Sequence, residues 1–148
     1  MKIKSLANEL SKFAGEIMSS GRVVQGCDAK QLSELESKYG ALPESYKLFL
    51  SLMGIDAGDF QIGTSISFDE LDDINEGVIE LMYENMITPP ENMFAFLLHQ
   101  GYSSLFFVDR TQQDPIVYSY TEGNPIKKTE YTFSEYILEE IKFYRSLR

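Results

Sequence analysis

Hydrophobic residues near the start of the chain recur at alternating spacings of three and four. They are Ile3, Leu6, Leu10, Phe13 and Ile17. This period places all five side chains on one stripe of a helix, and Ser20 followed by Gly21 predicts where that helix ends. Because an amphipathic helix buries its apolar stripe, we expect this first helix to pack against the rest of the fold.

A second helix is predicted after a short connection. Asp28 and Gln31 are three residues apart and resemble a capping box, in which each side chain accepts a hydrogen bond from the other residue's backbone N–H. Gly40 is expected to end this helix. Its apolar positions are Leu32, Leu35 and Tyr39.

The segment Leu42 to Glu44 starts a third helix. Pro43 is expected at the first helical position, where its missing N–H costs nothing, and Glu44 complements the positive end of the helix dipole. Gly54 is expected in the left-handed conformation that commonly closes a helix. The predicted inner face consists of Tyr46, Phe49, Leu50 and Met53.

After Gly54 the pattern changes. Phe60 to Ile62 and Ile66 to Phe68 are each typical of a short strand or a loop segment. Asp69 to Tyr83 is predicted to be a helix, because apolar residues return there to helical spacing. Thr88 to Pro90 cannot continue that helix and separates it from the last third of the chain. The expected buried positions of the helix are Leu71, Ile74, Val78, Leu81 and Met82.

The last third of the chain predicts a sheet and a final helix. Met93 to Gln100, Ser104 to Asp109 and Ile116 to Tyr120 are expected to form an antiparallel meander, and Ile126 to Thr129 is a candidate fourth strand. Thr132 to Glu135 resembles a capping box that opens a C-terminal helix. These elements predict an α+β fold, a mostly antiparallel sheet with helices packed on one face.

Composition agrees with one folded domain spanning residues 1–148. The chain has 43% hydrophobic and 13% aromatic residues, too many for a disordered acidic protein. Its first residues lack the unbroken apolar segment of a secretory signal, and the longest apolar run is too short to span a membrane. Cys27 is the only cysteine, so no intrachain disulfide is expected. We therefore expect a cytoplasmic protein without membrane contact.

The net charge of −10 is concentrated in the middle of the chain. Between Leu48 and Asp109 there is no Lys or Arg, whereas the remaining residues hold twelve acids and thirteen bases. Such a surface disfavours direct nucleic-acid binding, which requires clustered cations, and it suits a basic protein partner. The eleven carboxylates of this middle segment are Asp56, Asp59, Asp69, Glu70, Asp72, Asp73, Glu76, Glu80, Glu84, Glu91 and Asp109.

The order of the helix signals resembles the SUKH superfamily, which includes the fungal cell-wall-assembly regulator and many bacterial immunity proteins. The resemblance covers residues 29–141 and leaves residues 1–21 as an additional N-terminal helix. Met53 departs from the family pattern, which often has Asn there. The motifs that carry the resemblance are Leu35-Glu36, Gly40, Leu42-Pro43, Tyr46, Phe49-Leu50, Gly54, the apolar strand Met93 to Leu98, Phe106-Phe107-Val108-Asp109, Pro115-Ile116-Val117-Tyr118 and Thr132-Phe133-Ser134-Glu135-Tyr136.

The resemblance implies a binding module without catalytic residues or cofactors. In bacteria it implies an immunity protein that holds a cognate toxin domain, frequently a nuclease, in an inactive complex. Two other interpretations stay open: an intracellular scaffold that binds host proteins, and an ordinary solvated acidic face with no binding role. The sequence carries no signal for or against a homo-oligomer. The candidate contact residues are Asp56, Asp59, Asp69, Glu70, Asp72, Asp73, Glu76, Glu80, Glu84 and Tyr102.

Two more specific chemical interpretations, a calcium loop and a Cys–His pair, have less support from the sequence. Asp73, Asn75 and Glu84 match positions of a calcium loop, but Val78 occupies the position that requires Gly, so no metal site is expected. Cys27 lies beside a helix start, which favours a thiolate. Nothing in the spacing brings this thiol near His99, the only histidine, and no complete acid, base and nucleophile set is indicated.

The aromatic residues of the predicted strands are expected to divide between core and surface. Strand alternation requires either Phe106 with Val108 or Phe107 with Leu105 to face the core. Tyr102 lies at a predicted turn and is the best candidate for an exposed interface anchor, because Tyr is enriched among binding hot spots.

Overall fold

The computed structural model describes residues 3–147, which contain five α-helices and seven short strands. Met1 and Lys2, which precede the predicted apolar stripe of the first helix, lie outside the described residues, as does Arg148. The helices are α1 (Ile3–Ser19), α2 (Ala29–Tyr39), α3 (Glu44–Met53), α4 (Leu71–Glu84) and α5 (Phe133–Ser146).

The strands form a small ribbon and a five-stranded sheet, both antiparallel. The ribbon pairs β1 (Val24–Gln25) with β2 (Asp56–Ala57). In the larger sheet each strand pairs with the next in chain order. Its strands are β3 (Thr64–Ser65), β4 (Phe94–His99), β5 (Ser103–Phe107), β6 (Ile116–Thr121) and β7 (Lys127–Thr132). The α+β class, the meander and its fourth strand are confirmed.

The predicted capping boxes set two helix starts. Asp28 Oδ1 accepts a hydrogen bond from the Gln31 backbone N–H at 2.8 Å, and the Gln31 side chain accepts from Asp28 N at 2.9 Å. Thr132 and Glu135 form the same reciprocal pair at the start of α5. Side chains at both positions therefore satisfy backbone donors that a helix start leaves unpaired.

Two expectations about α3 need correction. Pro43 has extended backbone with ψ 143°, so it precedes the helix and Glu44 is the first helical residue. The backbone of Gly54 is in the right-handed helical conformation, with φ −71° and ψ −26°. A left-handed conformation is therefore not the reason for glycine at this position. A Cβ built on Gly54 would lie 2.7 Å from the Leu50 carbonyl oxygen and 2.8 Å from Leu50 Cδ2. Glycine is needed there because the backbone passes too close to the preceding turn.

The segment between α3 and α4 is mostly irregular. Phe60 to Ile62 forms a turn, and Phe68 begins a 3₁₀ helix that ends at Glu70 and leads into α4. The strands of this region are β2 and β3, each of two residues, on either side of the turn. All five apolar positions predicted for the helix after this segment are buried.

An aromatic cluster joins two helices to the sheet. The Tyr46 ring of α3 packs against Phe107 and Phe133 with centroids 5.3 and 5.5 Å apart, and Phe107 stacks on Phe96 at 4.7 Å. Phe106 and Phe107 are both fully buried, although neighbouring residues of a strand face opposite sides. From strand alternation we expected only one of the two residues in the core. Both are buried because both faces of the sheet are covered at β5.

Helix α4 is attached to β4 through the side chain of Asn75. The Asn75 carbonyl oxygen accepts a hydrogen bond from Ala95 N at 2.8 Å, and its amide group donates to Ala95 O at 2.9 Å. The same amide group donates to Leu71 O within the helix. Asn75 is buried, and Ala95 is fully buried. This amide therefore pairs with the strand backbone as a neighbouring strand would.

The outer strand β7 is irregular and charged. Its pairing with β6 shifts register between Ile116 and Tyr118, and the hydroxyl of Thr129 donates to Val117 O at 2.6 Å. Lys127 and Lys128 at the start of the strand are exposed. A bulged strand with lysines is a common way to end a sheet.

Replacing Asn75 by Ala is expected to lower the free energy of unfolding by about 2–4 kcal/mol, because the buried N–H and C=O of Ala95 both lose their partner. Urea titration followed by circular dichroism measures this. Asn124→Ala, in an exposed turn, is the matched control and should change stability by less than about 0.5 kcal/mol. Equal effects of the two variants would contradict the structural role of Asn75.

Gly54→Ala and Gly15→Ala are expected to act in opposite directions. The first places a methyl group against Leu50 and should destabilise by about 1–3 kcal/mol. The second adds a methyl group within α1 where nothing lies within 4 Å, and should stabilise by about 0.5–1 kcal/mol. Thermal unfolding of both variants tests the pair; a stabilised Gly54→Ala variant would disprove the close-approach explanation.

Candidate interaction surface

The outward side of α4 carries a row of five exposed carboxylates. Residues three and four positions apart are neighbours on a helix surface. The acidic residues of α4 have this spacing, so their carboxylates lie together on the side opposite the buried residues. We call this row the acidic face, and it consists of Asp72, Asp73, Glu76, Glu80 and Glu84. Five of the ten predicted contact residues are thus collected on one element.

The N-terminal end of α4 is fixed by Ser67 and Glu70. The Ser67 hydroxyl donates to Glu70 Oε1 at 2.8 Å, and the two residues form a capping box on the 3₁₀ helix. Burial raises the pKa of Glu70, but hydrogen bonds from Ser67 and Ser65 outweigh it and leave the pKa below its ordinary value. Glu70 is therefore a capping residue, whereas Asp69 beside it is exposed.

Asp72 links α4 to the end of α2. Its carboxylate lies 2.8 Å from Lys38 Nζ and accepts a hydrogen bond from the Tyr39 hydroxyl. The hydrogen bonds from Lys38 and Tyr39 hold the pKa of Asp72 below its ordinary value. Burial and this hydrogen bond raise the pKa of Tyr39. Asp72 therefore already has partners within the chain. Within residues 3–147 no ion pair involves Asp73, Glu76 or Glu80.

Asp56 and Asp59 are on other elements than α4, namely β2 and the turn after it. Asp56 Oδ1 accepts a hydrogen bond from Gly58 N at 2.9 Å. Asp59 lies 3.2 Å from Arg22 Nε, accepts a hydrogen bond from the Tyr144 hydroxyl at 2.5 Å, and has a side chain only 17% exposed. These contacts attach the loop to α5.

Tyr102 lies near the C-terminal end of α4, in the turn between β4 and β5. Its carbonyl oxygen accepts a hydrogen bond from Glu122 N at 2.9 Å, and the Glu122 carboxylate accepts one from the Asn85 side chain at 3.1 Å. Asn85 is the residue directly after α4. The structure therefore brings exposed Tyr102 close to the C-terminal end of α4.

Sequence reasoning missed the apolar members of this surface. Ile79, Tyr83 and Met86 are exposed, the last two by 64% and 94%. Ile79 and Tyr83 lie three or four residues from Glu76 and Glu80, so helical periodicity alone could have placed them on the acidic face. No sequence signal identifies Met86, because its exposure depends on how the chain leaves the helix.

The structure does not bring Cys27 and His99 together. Cys27 is buried, and its backbone N–H donates to Leu50 O. Burial, together with Asp69 and Asp28, raises the pKa of the Cys27 thiol to about 11. This corrects the expectation that the helix start favours a thiolate. His99 Nδ1 lies 2.8 Å from the Thr64 hydroxyl, and its ring packs against Tyr102.

The calcium-loop match is overturned by the fold, because Asn75 and Val78 are buried in a continuous helix. Among residues 3–147, no three His, Cys, Asp or Glu side chains are placed to hold a metal ion. No helix in the same range has the length and apolar character needed to cross a membrane.

The fold and the surface together define an α+β domain whose candidate site is a convex helix face of carboxylates and exposed apolar side chains. The family model SUKH_6, described as SMI1-KNR4 cell-wall, matches residues 29–137, and the chain belongs to this family. The match begins at α2 and ends within α5, so α1 precedes it. No curated protein and no solved structure gives a significant match to the chain.

We expect Cys27 to resist alkylation in the folded protein. With a thiol pKa of about 11 instead of 9.0, the thiolate fraction at pH 8 falls about a hundredfold. Iodoacetamide labelling followed by mass spectrometry should show slow modification of the native chain and rapid modification in guanidinium chloride. Equal labelling rates in both conditions would contradict the assignment of Cys27 to the core.

Proposed function

We propose that the chain is an immunity protein that binds a basic toxin domain and occludes its active-site or substrate groove. Membership of the SUKH family supports this, since domains of this family are generally non-catalytic and often act in toxin immunity. The observation that carries the proposal is the acidic face of α4, five exposed carboxylates on one convex helix.

The acidic face suits a nuclease toxin for an electrostatic reason. An enzyme that cleaves nucleic acid binds phosphates with clustered Lys and Arg, and a helix about 10 Å wide with carboxylates along one side presents a similar pattern of negative charge. A surface of one sign accelerates encounter with such a groove. The chain thus acts by occupying the groove, with no bond made or broken, and in the cytoplasm of the cell that it protects.

The proposed contact extends over both ends of α4. Asp69 lies at its start and Tyr102 beside its end, and each is exposed. Asp72 contributes charge while it also holds α2 through Lys38. Glu70 acts through the capping of the helix. Asp56 and Asp59 lie on a separate loop and add to the long-range field.

The alternative function is an intracellular scaffold that binds host proteins without neutralising a toxin. The cell-wall description of the matching family favours this alternative. Co-expression with a toxin domain encoded beside this chain distinguishes the two. Survival of the host cell supports immunity. Cell death with both chains soluble rejects the pairing and favours the scaffold.

Reversing charge on the acidic face is expected to abolish this protection. The test variant changes Asp73, Glu76 and Glu80 to Lys, because none of the three is in an ion pair within residues 3–147. At low salt the association rate constant with the toxin domain should fall about tenfold or more. Stopped-flow fluorescence at several salt concentrations measures this rate.

A matched control separates the location of the charge from its amount. Its substitutions are Glu34→Lys, Asp109→Lys and Glu130→Lys, all at exposed positions outside α4. Both variants change the net charge from −10 to −4, since each replacement adds two positive charges. The control should keep most of the association rate and the protection. If both variants slow association equally, the acidic face has no special role.

A further inference from the structure

The end of α4 places a methionine where helices usually place glycine. Met86 has φ +61°, in the left-handed region. Its N–H donates to Tyr83 O at 3.1 Å, and the N–H of Ile87 donates to Met82 O at 2.8 Å. This pair of hydrogen bonds is the Schellman motif, in which the left-handed position is usually Gly and sometimes Asn. A side chain there strains the backbone.

The fold gains no packing from this side chain. Met86 is 94% exposed, the largest exposed fraction among the exposed large hydrophobic residues. An exposed apolar side chain at a strained position has no stabilising role in the chain itself. Strain at a side chain that packs against nothing in the chain is the kind of outlier from which a functional hypothesis starts.

Met86 belongs to a group of exposed apolar side chains at one end of the acidic face. Tyr83 is 64% exposed and lies three residues earlier on α4, with Ile79 one turn before it. The position of this end is fixed, because Asn85 donates to Leu81 O at 2.8 Å and to the Glu122 carboxylate at 3.1 Å. These two hydrogen bonds hold the residue directly before Met86.

We propose that Tyr83 and Met86 are the apolar anchors of the interface, and that the partner presents an apolar pocket bordered by Lys or Arg side chains. This assignment of the anchors rests on the proposed function, and it specifies the chemistry of the partner surface. Charge complementarity selects the border of the pocket, because Glu80 lies three residues before Tyr83 and neighbours it on the helix surface. Methionine suits the pocket itself, since its flexible thioether adapts to irregular apolar surfaces.

The anchors and the acidic face act on different kinetic steps. Long-range charge changes the association rate and its salt dependence, whereas buried contacts at the centre of an interface change the dissociation rate. Loss of an anchor should therefore shorten the lifetime of the complex and leave the salt-dependent encounter unchanged.

Met86→Gly tests the proposal, because it should change stability and binding in opposite directions. Glycine relieves the left-handed strain, so the melting temperature should rise by about 2–4 °C. The dissociation rate constant from the toxin domain encoded beside this chain should increase about tenfold. Surface plasmon resonance with the immobilised toxin domain measures dissociation, and differential scanning fluorimetry measures the melting temperature.

Asn92→Gly is the matched control. Asn92 is also left-handed, with φ +62°, and exposed, but it lies in the loop before β4. Its replacement should leave dissociation unchanged. Tyr83→Ser is a second variant at an exposed position and should accelerate dissociation as Met86→Gly does.

The outcomes separate this inference from the proposed function. If the native chain binds the toxin domain and both Met86→Gly and Tyr83→Ser dissociate at the native rate, the anchors are refuted while the immunity function stands. If the native chain does not bind the toxin domain, the proposed function fails and the inference fails with it. Faster dissociation of both variants, with Asn92→Gly unchanged, supports the anchors.

Discussion

The position of the candidate surface depends on one amide group. Strand β4 has β5 along one side, and on its other side β3 pairs only with Leu98 and His99. The earlier part of β4 therefore has no neighbouring strand on the β3 side. The Asn75 amide takes that place by pairing with both backbone groups of Ala95. Because Asn75 is on the buried side of α4, this contact sets the rotation of the helix and hence the direction in which its carboxylates point.

Much of the fold could be predicted from sequence, because helical periodicity and capping are local. The stripe of α1, the Asp28 and Thr132 capping boxes and the strands of the meander all depend on residues a few positions apart. Gly54 shows the limit of such reasoning. Glycine is required at this position because the backbone passes close to Leu50. The left-handed conformation that the sequence suggested is absent.

The candidate surface was predictable only in part, because some of its features depend on contacts between distant parts of the chain. The spacing of acids on α4 placed five carboxylates together, but Asp59 lies against Arg22 and Tyr144 through contacts between residues far apart in the chain. Asn75 offered a signal that was not used, because it lies four residues after Leu71 and three before Val78, both of which were predicted to be buried. Met86 gave none, since its left-handed backbone and its exposure arise only once Ile87 turns back to hydrogen-bond Met82.

The outer strand β7 has features that oppose pairing between the sheets of two copies. The growth of β-aggregates requires a flat edge whose backbone groups can accept another strand. Here the edge begins with two exposed lysines, and its register with β6 is broken near Thr129. Two copies that meet edge to edge therefore bring like charges together on backbones that do not align. The sheet therefore ends at β7 with an edge that opposes the addition of a strand from a second copy.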